Sequence, residues 1–345
     1  MMLVLLGVMM GGCAIRGLPA TGGVVCPECG VTICDDRQTL SIEYLGSGGY
    51  LLTRGDDVLL LGPFISNSGV LEAMNLKRIE PDVDALEAWL PDVSNAKAII
   101  VGHAHCDHLM DVPWIAKNRA KDAKIYVNRT GSHVLAADGE LHDRVHPIDA
   151  AYWPGTKLRA ALWVEIPRTR VRILPIESEH APHFAGLKFM KGRLTEDQKE
   201  LPKRARRWVE GRTYAFLIDF QHPEDDDVMF SVHYQDAASN PTLGFPPARD
   251  RRLDAALVCV ASHHEVKDYP DDLLAQTQPR HVVLGHWENF FAPYTRDLDE
   301  LRGVPFSRPQ DFIERVERYV FSSTEASWSM PAPGAVLELV ACPNG

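Results

Sequence analysis

The segment His103-Ala104-His105-Cys106-Asp107-His108 constrains this chain more than any other, because three imidazoles and a carboxylate fall within six residues. It follows an apolar run, Ala98-Ile99-Ile100-Val101, that reads as a buried strand, and it leads into Leu109-Met110-Asp111-Val112, which can begin a helix. A strand tip feeding a loop of ligand-type side chains is a rigid support for a metal site. Imidazole suits zinc, manganese and ferrous iron, and a carboxylate adds a hard oxygen ligand. In an extended loop His103 and His105 point to the same side and can grip one ion, while Asp107 and His108 lie one turn further on and can reach a second. The competing account is a His-rich surface loop without a role. With fourteen His in 345 residues, three His and an Asp at this spacing after a strand make that coincidence rare.

The stretch resembles the HxHxDH signature of the metallo-β-lactamase fold, a large group of mostly di-metal hydrolases. Other landmarks follow in the order of that family. Ser41–Leu52 is similar to its opening hairpin, with Asp56-Asp57 at the turn and Val58–Leu61 as the return strand. Val171–Ile176 is a strand ending near His180, Val228–Val232 leads to Asp236, and His281–Gly285 ends on His286-Trp287. The resemblance covers residues 40–325 and implies an α/β fold, a four-layer αβ/βα sandwich. It also implies two ions, zinc first with manganese or iron as alternatives. His103, His105 and His180 would hold the first ion; Asp107, His108 and His286 the second; Asp236 would bridge them. Two such ions lower the pKa of a shared water and polarise the bond it attacks, and Asp107 would be the catalytic residue that orients it. His286-Trp287-Glu288-Asn289-Phe290 is similar to the branch holding the ascorbate-phosphate lactonase and N-acylphosphatidylethanolamine phospholipase D, which points to a phosphodiester or lactone substrate.

Two positions depart from the family pattern. Gly62 stands before Pro63 where an Asp usually supports the site, and Gln235 precedes Asp236 where Gly is usual, so a bulkier neighbour is expected to narrow the pocket or alter metal occupancy. Neither removes a ligand. The third ligand is open between two candidates in Glu177-Ser178-Glu179-His180-Ala181-Pro182-His183, with His180 preferred for its closeness to the strand end. His183 is then expected to line the pocket and donate a proton or touch substrate. His264 of the tandem His263-His264 is a second candidate for the pocket wall, and His233 reads as a core histidine.

A chain of this length with 45% hydrophobic residues can bury a full core. Strands alternate with helical segments such as Val83–Leu90 and Asp311–Val320 without a Gly- or Ser-rich linker, which argues for one catalytic domain over residues 40–345. In the second helix Phe312, Ile313, Val316, Tyr319 and Val320 share one face, the pattern of core packing. A net charge of −11 argues against a nonspecific nucleic-acid partner, which needs a basic surface. Residues 187–193 and 203–208 cluster basic and apolar side chains. They read either as a solvated helix balanced by Glu196, Asp197 and Glu200 or as a lid facing a membrane or an anionic substrate.

Met1–Met10 carries no charge and is too short to span a bilayer, so it reads as the apolar part of a secretory signal. Gly11-Gly12-Cys13 resembles a bacterial lipobox, although the positive N-terminal region is absent. On that reading residues 1–13 are the leader, Cys13 carries lipid, residues 14–39 are a tether, and the protein sits in the cell envelope near small-molecule or lipid substrates. The alternative is a mis-assigned start with an apolar tail, in which case the protein is cytoplasmic. Cys26-Pro27-Glu28-Cys29 with Cys34 has metal-knuckle spacing but no second pair, so a local disulfide is the preferred reading. Cys106, between ligands, is expected to fill space. The rivals to a di-metal hydrolase are a mono-iron oxygenase of the persulfide-dioxygenase type and a non-catalytic fold relative. Retention of all seven expected ligands argues against the latter.

Overall fold

Period-two alternation of apolar residues builds two facing sheets. The computed structural model describes residues 23–25 and 39–341, apart from 75, 152–161, 184–185 and 324–325. Its first seven strands are β1 (Gly23–Val25), β2 (Thr39–Gly46), β3 (Gly49–Arg54), β4 (Asp57–Leu61), β5 (Ala98–Ile100), β6 (Lys124–Val127) and β7 (Val145–Pro147). The next seven are β8 (Val164–Glu165), β9 (Val171–Ser178), β10 (Thr213–Gln221), β11 (Val228–Tyr234), β12 (Ala255–Cys259), β13 (His281–Gly285) and β14 (Ser327–Ser329), and β15 (Val336–Val340) follows. One sheet runs β1-β15-β2-β3-β4-β5-β6-β7 and the other β14-β13-β12-β11-β10-β9-β8. Both are mixed. β2, β3 and β4 pair antiparallel and β4 to β7 parallel. In the second sheet β8 to β11 are antiparallel and β11 to β14 parallel.

Alternation decides the layers. Leu59 and Leu61 of β4 join Ile100, Phe216, Ile218 and Val232 in the core that unites the sheets. Leu60 and Ile99 turn the other way, onto Leu86, Ile115 and Val134 of the helices Val83–Trp89, Val112–Asn118 and Arg129–Leu135. Helices Asp271–Thr277 and Pro309–Ser322 contribute Leu273, Leu274, Phe312, Ile313 and Val316 to the packing on the second sheet. Helix, sheet, sheet, helix is the αβ/βα sandwich of the metallo-β-lactamase type. Parallel strands need helical crossovers, and covering both outer faces with helices satisfies that requirement.

Three local expectations change. The expected opening hairpin has an extra turn: Ser41–Leu52 already reverses at Ser47 and Gly48, with φ values of 49° and 71°, before the turn into Val58–Leu61, so three antiparallel strands form. The basic segment is not helical: among described residues 187–208 only Ala205–Arg207 makes a helical turn, of 3₁₀ type. Met190 and Gly192 at positive φ and Pro202 interrupt any longer helix. β10, absent from the strands expected above, is buried along all nine residues and is the central partner of β9 and β11.

Cys13 and the leader, with Cys26, Cys29, Cys34 and Cys342, lie outside the described residues. Within the expected tether, β1 pairs in parallel with β15. Among the described residues no helix is long and apolar enough to cross a membrane.

Candidate metal centre

The loop after β5 is held from below by the start of β10. Tyr214 donates its backbone N–H to the Gly102 carbonyl at 2.9 Å, and Ala104 donates to the Glu210 carbonyl at 3.0 Å. Asn128, whose side chain also caps the helix Arg129–Leu135, donates to the carbonyls of Glu210 and Arg212 at 2.8 and 2.5 Å and so fixes the clamp itself. His105 occupies the N-cap of the short helix Cys106–Leu109, and that turn brings Asp107 and His108 back beside His103. Burial, with Asp107 nearby, pushes the Cys106 thiol up; it is a buried neutral group, as expected of a filler.

Proton placement around the imidazoles points to a cation. His103 donates from Nδ1 to Asp236 Oδ1 at 3.2 Å, His105 directs Nε2 to the Met190 carbonyl at 3.4 Å, and His180 donates from Nδ1 to the Ala181 carbonyl at 2.6 Å. Each neutral ring therefore keeps its lone pair on the other nitrogen. For His103 and His105 those two lone-pair nitrogens face each other at 3.0 Å, and donor atoms of His103, His105 and His180 all lie within 4.8 Å. In those tautomers the two bare nitrogens repel, and a cation between them removes the repulsion. Tetrahedral zinc with Zn–N bonds near 2.05 Å sets its ligand nitrogens about 3.3 Å apart, so the spacing suits such an ion. The carbonyl and carboxylate that hold the opposite ring nitrogens are the usual outer support of a metal-ligating histidine.

A second group adjoins the first. Donor atoms of His103, Asp107 and His108 also lie within 4.8 Å. Among the described residues neither nitrogen of the buried His108 has a hydrogen-bond partner, with Asp107 Oδ2 at 3.7 Å and Asp236 Oδ2 at 4.0 Å. Orphaned buried nitrogens of this kind are rare without a ligand. His286 Nε2 approaches Asp107 Oδ2 to 3.4 Å. All seven residues singled out in the sequence thus meet at one place, from the ends of β5, β9, β11 and β13.

Burial keeps the imidazoles neutral. It holds His180 down to about 4 and His108 to about 3, and it puts His103 and His105 well below the usual histidine range. Neutral rings are the form that binds metal, so the site is ready for an ion at neutral pH. Burial opposes ionisation of Asp107, yet the polar rings of His108, His286 and His105 around it, with His286 Nε2 3.4 Å from Oδ2, hold the carboxyl well below the usual carboxylate range. Burial raises Asp236 against the pull of His108, His180 and His286, a cost that a neighbouring cation would offset.

Several residues that build the site were not among the sequence candidates. Gly102 is one: a Cβ there would stand 2.4 Å from both Asp236 oxygens, and its N–H donates to Asp236 Oδ2 at 3.1 Å. Its position one residue before the motif, where backbone meets a ligand, was the available signal. His286 has φ of 55° and is held by its N–H, which donates to Tyr44 Oη at 2.8 Å; Tyr44 in turn donates to the buried Glu288 at 2.5 Å. Glu288 also accepts the Ser47 N–H from the hairpin turn, tying that turn to the last ligand.

The two departures resolve as substitutions of support. Tyr234 fills the place beside Gly62: a Cβ at 62 would meet Tyr234 Oη at 2.6 Å and His108 Nδ1 at 3.3 Å, and the phenol donates to the Gly48 carbonyl at 3.1 Å. Gln235 does not narrow the pocket. Its amide turns to Ser239 Oγ at 2.6 Å and Ser178 Oγ at 3.4 Å, away from the cleft wall.

The remaining histidines separate cleanly. His183 lines the cleft, stacks on His180 with centroids 4.5 Å apart, and accepts the Phe189 N–H at Nδ1. His264 lies outside the cleft wall, 3.5 Å from Glu265, because tandem residues point apart and His263 takes the inward place against Phe312. His233 is buried and bonded to the Gly244 carbonyl at 2.8 Å, a core histidine as expected. The metal-ligand candidates open onto a cleft of about 640 Å³ whose wall includes His105, Asp107, His180, His183 and His286.

No protein-family model and no curated protein matches the chain. Solved structures do. Igni18, a metallo hydrolase from Ignicoccus hospitalis, is 15% identical over 87% of this chain and 98% of its own, with a TM-score of 0.48. The metallo-β-lactamase fold protein YhfI from Bacillus subtilis is 14% identical over 86% and 98%, with a TM-score of 0.42. CmlA, a diiron β-hydroxylase from Streptomyces venezuelae, is 11% identical over 87% of this chain and 54% of its own, with a TM-score of 0.48. The fold assignment rests on the order of the two sheets and their helical layers.

Proposed function

We propose that this chain is a di-metal hydrolase, zinc-loaded, that cleaves a phosphodiester or lactone bond. The observation that carries the reading is the meeting of His103 Nε2 and His105 Nδ1 at 3.0 Å, with His105 in the cleft wall and the outer ring nitrogens facing Asp236 and the Met190 carbonyl. His103, His105 and His180 would hold one ion, Asp107, His108 and His286 the other, with Asp236 between them. Five imidazoles and two carboxylates suit zinc better than a harder ion. Bound there, the metal pair supplies Lewis acidity and a water that ionises near neutral pH.

The chain's own groups do the rest. Asp107, ionised and open to the cleft, accepts a hydrogen bond from the attacking water and orients it. His183 accepts the Phe189 N–H at Nδ1, so its Nε2 carries the proton in the neutral ring and can donate to the departing oxygen. His180, stacked against it, fixes the plane from which that proton comes. Metal analysis of unchelated protein together with hydrolysis of bis(p-nitrophenyl) phosphate and a lactone reporter tests the proposal. Two divalent ions per chain and chelator-sensitive turnover are expected. One iron per chain and oxygen consumption would replace it with the oxygenase reading.

A further inference from the structure

The wall of the cleft beyond the metal-ligand candidates is made of rings and thioethers. Phe189, Phe290, Phe291 and Phe306 line it together with Met74 and Met190. This wall begins at the site itself: the Phe290 ring lies 5.0 Å from His286 and 4.3 Å from Phe291, and Phe189 lies 5.7 Å from His183. Phe189 is 51% exposed and Phe306 37%, although both are large apolar side chains on the rim of a concave surface. Clustered apolar exposure around a cleft marks a place that something apolar covers.

The polar inventory is short. Among the described residues Asp107 is the one carboxylate on the wall and Arg206 the one Lys or Arg. The other polar groups are Ser68, Ser262 and the histidines at the metal-ligand candidates, so beyond those candidates the wall is mainly apolar. The flexible side chains of Met74 and Met190 accommodate an unbranched chain of variable length better than a rigid ring system. We propose that the cleft binds a medium-length acyl or alkyl chain attached directly to the bond that is hydrolysed. The hydrolysed bond rests on the function proposed above; the apolar subsite does not.

Calorimetric titration with butanoate, hexanoate, octanoate and decanoate, beside hydrolysis of the matching p-nitrophenyl esters, separates the two. Full burial of each added methylene strengthens binding about fourfold, and partial burial about twofold, so affinity should climb steadily along the series. Phe189→Ser and Phe306→Ser should each flatten that climb, with an unchanged thermal unfolding midpoint to certify the fold. A climb in binding without hydrolysis of the esters supports the apolar subsite alone, and the hydrolase then stands or falls on the phosphodiester and lactone reporters named above. Affinity that does not change with chain length, or a climb that survives both substitutions together, overturns the subsite.

Discussion

Replacing Gly102 by Ala puts a methyl group where Asp236 already sits. The added Cβ would lie 2.4 Å from both carboxylate oxygens and 2.6 Å from Cγ, whereas ordinary contact begins at 3.4 Å. The carboxylate must therefore retreat by about 1 Å, a distance at which its present partners are lost. Gly102 is not among the residues at positive φ, so Ala brings no backbone conflict and the whole effect comes from the contact. Asp236 has little room to give way. Its side chain is fully buried, 3.2 Å from His103 and 4.0 Å from His108, and the Gly102 N–H that anchors it at 3.1 Å would move with the clash. Overpacking of this kind costs about 1–3 kcal/mol of stability. Disturbing a carboxylate that supports metal ligands costs about 10–100-fold in metal affinity, and the upper end is expected because support and placement fail together. Competition with a chromogenic chelator measures the affinity, and thermal unfolding of the metal-free protein measures the stability. A Gly102→Ala protein that binds metal as tightly as wild type would refute the argument, because Asp236 would then have no part in holding ions.

Asp236→Ala itself should remove at least one ion and nearly all hydrolysis, read by metal analysis and turnover on the same preparation. His180→Ala should strip a metal, whereas His183→Ala should keep full metal content and lose about 10²–10⁴-fold in turnover; the reverse pattern in metal content would exchange the two roles. Asp111, which accepts hydrogen bonds from Ile65 N, Ser66 N and Ser66 Oγ, is raised by burial from 3.8 to about 6. Its neutral form is favoured by folding, so the contribution is complete below pH 4 and is lost as pH rises through 6, about 3 kcal/mol in all. Denaturation free energies at several pH values should show this fall in wild type and not in Asp111→Asn; a difference that rises with pH would contradict it. The proposed lipid anchor predicts that Cys13→Ser yields active protein released from membranes, or an uncleaved precursor, on cell fractionation. Wild-type protein found wholly in the cytosol with Met1 attached would end that proposal and leave the metal centre untouched.

Much of the site was legible because its chemistry is concentrated in residue types with few other uses at strand ends. His103, His105, Asp107 and His108 announce themselves in one stretch, and His180, Asp236 and His286 each follow an apolar run that became β9, β11 or β13. The layers were legible for a similar reason, since Leu59, Leu60 and Leu61 had to divide between two faces. Supporting residues were not. Tyr44, Tyr234 and Glu288 look like core aromatics and a surface acid in the sequence, and their roles depend on contacts across 186 to 244 residues of chain. β10 has no alternation to read because both of its faces are buried. The 187–208 segment misled in the other direction: its charge pattern suits a helix, but the backbone at Met190 and Gly192 does not.

The fit between Gly62 and Tyr234 bears on how this chain can diverge. Any side chain at 62 would overlap the phenol oxygen, 2.6 Å from the Cβ position, and would also have to adopt φ of +43°. An acidic group can enter only once the ring has gone, yet trimming Tyr234 first leaves a hole beside His108 and frees the Gly48 carbonyl. Either change alone disturbs a contact that the other residue makes. Substitutions at the two positions are therefore expected to be non-additive, with a change at Gly62 tolerated better once Tyr234 has been trimmed.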